Sequence, residues 1–220
     1  MSSTRAIKAV VFDLDGLMFN TEEVFNRSGR VLLHRRGKEM TDEILSQMMG
    51  RRAHEAFSIM KEMLGLDESV EDLMNEEDEI FRDLLDTHLA PMPGLFELLQ
   101  HIEERSLPKG VATSSDRTYL EDILGRFDLL PRFQITLAAD DVIHGKPHPE
   151  IYLKAAQRIE VVPSEMLVLE DSEAGTKAAA AAGAVVVSIP HQHSRTHDFS
   201  AATIIAESLH AAPVIEMLDL

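Results

Sequence analysis

Four apolar residues, Ala9-Val10-Val11-Phe12, run directly into Asp13-Leu14-Asp15-Gly16, and this junction constrains the chain more than any other stretch. A short apolar run bounded by acids and a glycine reads as a buried strand that ends abruptly at two carboxylates. In an open parallel α/β sheet, ligands bind beyond the carboxyl ends of the strands, so Asp13 and Asp15 stand where chemistry is expected. Two acids so close repel each other unless a cation or proton intervenes. A hard, oxygen-preferring ion, Mg²⁺ first, is the natural neutraliser.

Beyond the pair the periodicity turns helical, from about Glu22 to about Asp86. Val24 to Leu33, Ile44 to Met49, Phe57 to Leu64 and Val70 to Leu85 each give an apolar stripe, with Thr41 and Asp42 starting the second. No strand signal interrupts them, so the segment reads as an inserted helical cap domain over 18–89, with the core domain in 1–17 and 90–220. Met40, Met48, Met49, Met60 and Met63 sit at helical spacing, which favours core filling over a binding surface. The acid run Asp67 to Glu79 reads as a solvated helix face, not a metal site. Arg51 and Arg52, following Gly50, are the functional candidates of the cap, with surface solubility as the alternative reason for them.

After Pro91, strand and helix alternate. Pro93 is placed to open a helix through Leu95, Leu98, Leu99 and Ile102. Lys109 to Thr113, Phe133 to Ala138, Leu167 to Leu169 and Val185 to Ile189 read as strands, with helices from Tyr119, Ile151 and Glu173 between or after them. The fold class is α/β: a Rossmann-like parallel sheet core with an inserted all-helical cap. His191, His193 and His197 follow a proline in a polar stretch and read as a loop, not a ligand cluster.

Three strands end in polar groups: Asp13 and Asp15, Thr113 and Ser114, Glu170 and Asp171. On one edge of a parallel sheet they converge on one crevice. Several carboxylates around one divalent ion leave the site negative, so an anionic substrate needs a local positive partner and neutral donors. Lys146, the Thr113 hydroxyl and the Ser114 backbone N–H can supply them. Gly145-Lys146 is no P-loop, because Pro147 stands where Ser or Thr is needed. A net charge of −17, from 38 acids against 21 bases, disfavours a nucleic-acid or anionic membrane surface. The absence of cysteine gives no sign of an oxidising compartment, and no apolar run approaches a membrane span. A soluble, cytoplasmic monomer acting on a small anionic substrate is expected.

Asp13-Leu14-Asp15-Gly16, Thr113-Ser114-Ser115, Gly145-Lys146-Pro147-His148-Pro149 and Leu169-Glu170-Asp171-Ser172-Glu173-Ala174-Gly175 resemble, in order and spacing, the haloacid dehalogenase-like hydrolases. With a helical cap after the first motif, the chain is similar to β-phosphoglucomutases and to sugar- or nucleotide-phosphate phosphatases. Met48-Met49-Gly50-Arg51-Arg52 and Met92-Pro93-Gly94 are most similar to the pseudouridine 5′-phosphatase-like members. The resemblance implies that the substrate is a small phosphorylated metabolite, Asp13 a nucleophile forming an aspartyl-phosphate and Asp15 the general acid and base. It implies Mg²⁺ held by Asp13, the Asp15 carbonyl and Asp171, with Glu170 acting through water. Thr113, Ser114 and Lys146 would stabilise the transferring phosphoryl group. Specificity would come from the cap face and from Ser115, Asp116 and Arg117. Asn20, where many relatives carry Asp, is expected to be structural. A phosphomutase is the rival enzyme. A phosphoryl-accepting signalling module is the rival of another class, in which a cap has no place.

Overall fold

The computed structural model describes residues 6–48, 51 and 53–218. In chain order its elements are β1 (Ala9–Phe12), α1 (Thr21–His34), α2 (Asp42–Met48), α3 (Ala53–Leu64), α4 (Val70–His88), α5 (Leu95–Glu104) and β2 (Lys109–Ala112). There follow α6 (Arg117–Gly125), β3 (Ile135–Leu137), α7 (Glu150–Ile159), β4 (Met166–Glu170), α8 (Glu173–Ala181), β5 (Val185–Ser188), β6 (Ile204–Ile205) and α9 (Ala212–Leu218). The described residues divide into two compact units, one up to Phe19 and from Pro91 onward, the other Asn20–Ala90.

In the first unit six strands form one sheet in the order β3-β2-β1-β4-β5-β6, every pairing parallel. All residues of β1, β2 and β4 are buried, as in strands covered on both faces. The chain builds outward from β1 through β2 to β3, then returns to place β4 on the other side of β1. That reversal is a topological switch point, where an open α/β sheet leaves a crevice. Register aligns Phe12 with Val111 and with Leu169, so Asp13 and Glu170 emerge side by side.

Two details differ from the sequence reading, and two further elements lie where it assigns none. β3 is shorter than Phe133 to Ala138, because 3-10 turns at Leu130–Arg132 and Ala139–Asp141 take up its approaches. Pro93 does not open α5: Gly94, at φ 87°, intervenes and the helix starts at Leu95. The segment after His197 also contributes β6, a two-residue edge strand on β5, and α9.

The second unit packs Leu32, Leu33, Ile44, Phe57, Met60, Leu73 and Ile80 into its own core, with Met40, Met48 and Met74 against it. Met60 is buried and Met63 half-exposed, while Met49 lies outside the described residues. The acid run is not uniformly solvated. Glu77 falls four residues after Leu73 and four before Phe81, on the buried stripe of α4, where Ser28 of α1 donates to its carboxyl. Asn20 ties the ends of the insertion: its amide donates to the His88 carbonyl at 3.2 Å and accepts from the Ala90 N–H at 2.7 Å. Among the described residues no helix is long and apolar enough to cross a membrane.

Candidate active site

Asp13 leaves β1 with its N–H on the Leu169 carbonyl at 3.0 Å, which fixes the backbone at the switch point. Its Oδ1 lies 2.5 Å from Lys146 Nζ, and the same ammonium donates to Glu170 Oε1 at 2.6 Å and to the Ala112 carbonyl at 3.0 Å. All three ammonium donors are therefore used, each on an acceptor from a different strand end. Asp13, Lys146, Glu170 and Asp171 are all buried. Burial alone would discharge Lys146, but the Asp13 and Glu170 carboxylates outweigh it and hold the ammonium well above the lysine range.

Burial pushes the Asp13 carboxyl well above its ordinary range against the pull of Lys146, with Glu170, Asp171 and Asp15 adding to the rise. One ammonium is too little charge for this set. Asp13, Glu170 and Asp171 each present a carboxylate oxygen, all within 4.8 Å of one another. A buried, all-oxygen donor set fits a hard divalent cation. Gly175 is required for this arrangement, since a Cβ there would stand 1.8 Å from Glu170 Oε1. Ser172, which caps α8, also holds Glu170 through its hydroxyl at 3.0 Å.

Asp15, two residues on, is half-buried and surrounded by hydroxyls instead of carboxylates. Thr113 Oγ1 at 3.1 Å and Ser115 Oγ at 2.8 Å donate to its Oδ2, and Tyr119 OH at 2.8 Å donates to its Oδ1. A pocket of about 260 Å³ has Thr113, Ser114 and Lys146 in its lining, with Val142, Ile143 and Ile151 supplying apolar wall.

The structure thus brings Asp13, Asp15, Thr113, Ser115, Lys146, Glu170 and Asp171 together, with Ser114 exposed at the pocket. Thr113 lines the pocket beside Ser114 and Lys146, and its hydroxyl donates to Asp15 while accepting the Ser115 N–H at 3.0 Å. Arg117 is not brought in. Its guanidinium binds Thr136 Oγ1 at 2.7 Å, the Thr136 carbonyl and the Asp141 carboxylate, on the edge strand. Arg51 is exposed and paired with Glu55 on α3, and Arg52 lies outside the described residues.

Sequence reading misses Tyr119, Tyr152 and His191. Tyr119 passes for part of an apolar helical stripe, but at the start of α6 its side chain leans back toward the strand end. Tyr152 donates its hydroxyl to Glu170 Oε1 from inside the core. His191 stands with Nε2 2.8 Å from Asp171 Oδ2. The parallel neighbouring of β4 and β5 is what sets His191 there, and no local pattern carries that information.

Residues 10–189 match the family described as haloacid dehalogenase-like hydrolase. The phosphorylated carbohydrates phosphatase of Thermotoga maritima is 32% identical over 177 residues, 80% of this chain and 82% of that protein. A Drosophila melanogaster protein named "Probable pseudouridine-5'-phosphatase" is 33% identical, over 93% of this chain and 91% of its own. The crystal structure of CbbY from Rhodobacter sphaeroides in complex with phosphate superimposes with a TM-score of 0.76 at 25% identity, over 97% of this chain and 100% of that one. With the acid cluster at the switch point and this match across the sheet, the chain belongs to the haloacid dehalogenase-like hydrolase family, as a hydrolase of phosphomonoesters.

Proposed function

We propose that the protein is a Mg²⁺-dependent phosphatase of small sugar or nucleoside monophosphates, working through a phosphoaspartate on Asp13. The observation that carries this reading is the division of labour between two acids two residues apart. Asp13 lies in a cluster of carboxylates bridged by Lys146, and Asp15 lies among hydroxyls. An Asp13 oxygen attacks phosphorus while the ester oxygen leaves with a proton from Asp15. In the second half-reaction Asp15 takes a proton from water, whose oxygen attacks the same phosphorus and frees the Asp13 carboxylate together with inorganic phosphate. Lys146 and the Ser114 N–H offset charge on the phosphoryl oxygens. Asp13, Asp171 and the Asp15 carbonyl would hold Mg²⁺, with Glu170, in the same carboxylate cluster, acting through water. Mg²⁺ supplies charge neutralisation for the transferring group.

Hydrolysis is favoured over phosphomutase chemistry by Arg117. A mutase turns a bisphosphate round and needs a second cationic pocket for the distal phosphate. Arg117, the cation nearest in sequence to the 113–115 turn, is committed to Thr136 and Asp141. The small pocket and the phosphatase relatives support a small monoester.

The test is phosphate release from a panel of sugar and nucleoside monophosphates with Mg²⁺ and with a chelator. Release that stops on chelation, with no need for a bisphosphate activator, supports the reading. Chelator-insensitive turnover would remove the metal from it. Accumulation of glucose 6-phosphate from glucose 1-phosphate faster than free phosphate would replace hydrolysis by isomerisation.

A further inference from the structure

His191 lies just beyond β5, the strand beside β4, with Ser188 in register with Glu170. Its ring is largely buried, and Nε2 stands 2.8 Å from Asp171 Oδ2. The other ring nitrogen decides the nature of that contact. Nδ1 accepts the backbone N–H of His193 at 3.2 Å, so it carries no proton, and the proton of the neutral imidazole sits on Nε2. His191 therefore donates to Asp171 as an uncharged group. The loop that carries it is pinned: the His191 N–H donates to Ser194 Oγ at 3.0 Å, and the Ser194 N–H returns to the His191 carbonyl at 3.1 Å. Gly16 completes the fit, since a Cβ at that position would stand 2.5 Å from Asp171 Oδ2 and 2.7 Å from His191 Nε2.

We infer that His191 is a positioning residue for the divalent cation: its Nε2–H holds one oxygen of Asp171 so that the other is presented to the ion. This rests on the reading of Asp171 as a metal ligand. Partners that orient ligands in this way set both the direction and the basicity of the ligand atom.

The experiment titrates the purified full-length chain with Mn²⁺, a probe for oxygen-donor sites, by electron paramagnetic resonance without substrate. The proteins compared are wild type, His191→Leu, His191→Gln and Asp171→Asn. His191→Leu is expected to weaken Mn²⁺ binding by roughly 10- to 100-fold, whereas His191→Gln, whose amide can donate in place of Nε2, stays within about threefold of wild type. Wild-type affinity in His191→Leu, or a loss in His191→Gln as large as in His191→Leu, would overturn the inference and leave the metal site standing. Full-strength binding by Asp171→Asn, or none by wild type, would remove the metal reading and the inference with it. Should His191→Leu fail to fold, ¹⁵N spectra of the wild-type histidines decide: an Nε2–H signal for His191 that shifts on adding Mg²⁺ is expected, and an Nδ1–H tautomer would overturn the assignment.

Discussion

Tyr119 donates its hydroxyl to Oδ1 of Asp15 at 2.8 Å, from 104 residues further along the chain. With Thr113 and Ser115 on Oδ2, both oxygens of that carboxyl are engaged from the second strand end. If Asp15 protonates the leaving oxygen, its orientation matters most when the leaving group is a poor one. Tyr119→Phe is expected to lower kcat on an alkyl phosphate by about tenfold and on p-nitrophenyl phosphate by less than about threefold. Equal losses on both substrates would make Tyr119 a packing residue.

Asp13→Asn is expected to abolish turnover while the protein keeps its fold, because an amide cannot serve as the nucleophile. Far-UV circular dichroism checks the fold and a phosphate-release assay checks the rate. Substantial turnover by the folded variant would sink the covalent mechanism.

Lys146→Ala removes the ammonium that bridges Asp13 and Glu170 in a cluster of three buried carboxyl groups. Leaving buried charge without its partner costs roughly 3–5 kcal/mol, and losing a donor to the developing charge costs on the order of 10²-fold in rate. Both losses are expected, with Mg²⁺ raising the melting temperature of the variant more than that of wild type. A rate change below about threefold would move Lys146 out of the machinery.

In the helical unit, burial raises the Glu77 carboxyl from 4.5 to about 7, and Asp78 adds to the rise while the Ser28 hydroxyl opposes it. The unfolded chain releases that proton at the lower pH. Stability from the protonated group is therefore full below pH 4.5 and is lost as pH rises through about 7. The difference amounts to roughly 3 kcal/mol. Glu77→Gln, neutral throughout, is expected to gain on wild type by that order between pH 5 and pH 8 in urea unfolding. An unchanged gap between the two proteins would show that Glu77 titrates as a solvated acid.

The sequence by itself determined the parts that rest on local chemistry. A strand that stops at Asp13 and Asp15, helices with 3.6-residue stripes, and an alternation of β and α are all short-range signals, and they specified a parallel sheet with a helical insertion. The polar residues at three strand ends followed, because parallel strands deliver their carboxyl ends to one edge. Tertiary structure alone decided the rest. Glu77 looked like one acid among many until helix packing turned its face inward. Arg117, a specificity candidate in the sequence, is held by Thr136 on the edge strand and by Asp141 just beyond it. Tyr119 and His191 gained their partners across 104 and 20 residues. Such pairings depend on which strand lies beside which, and strand order is fixed by the burial of whole faces, which no local spacing encodes.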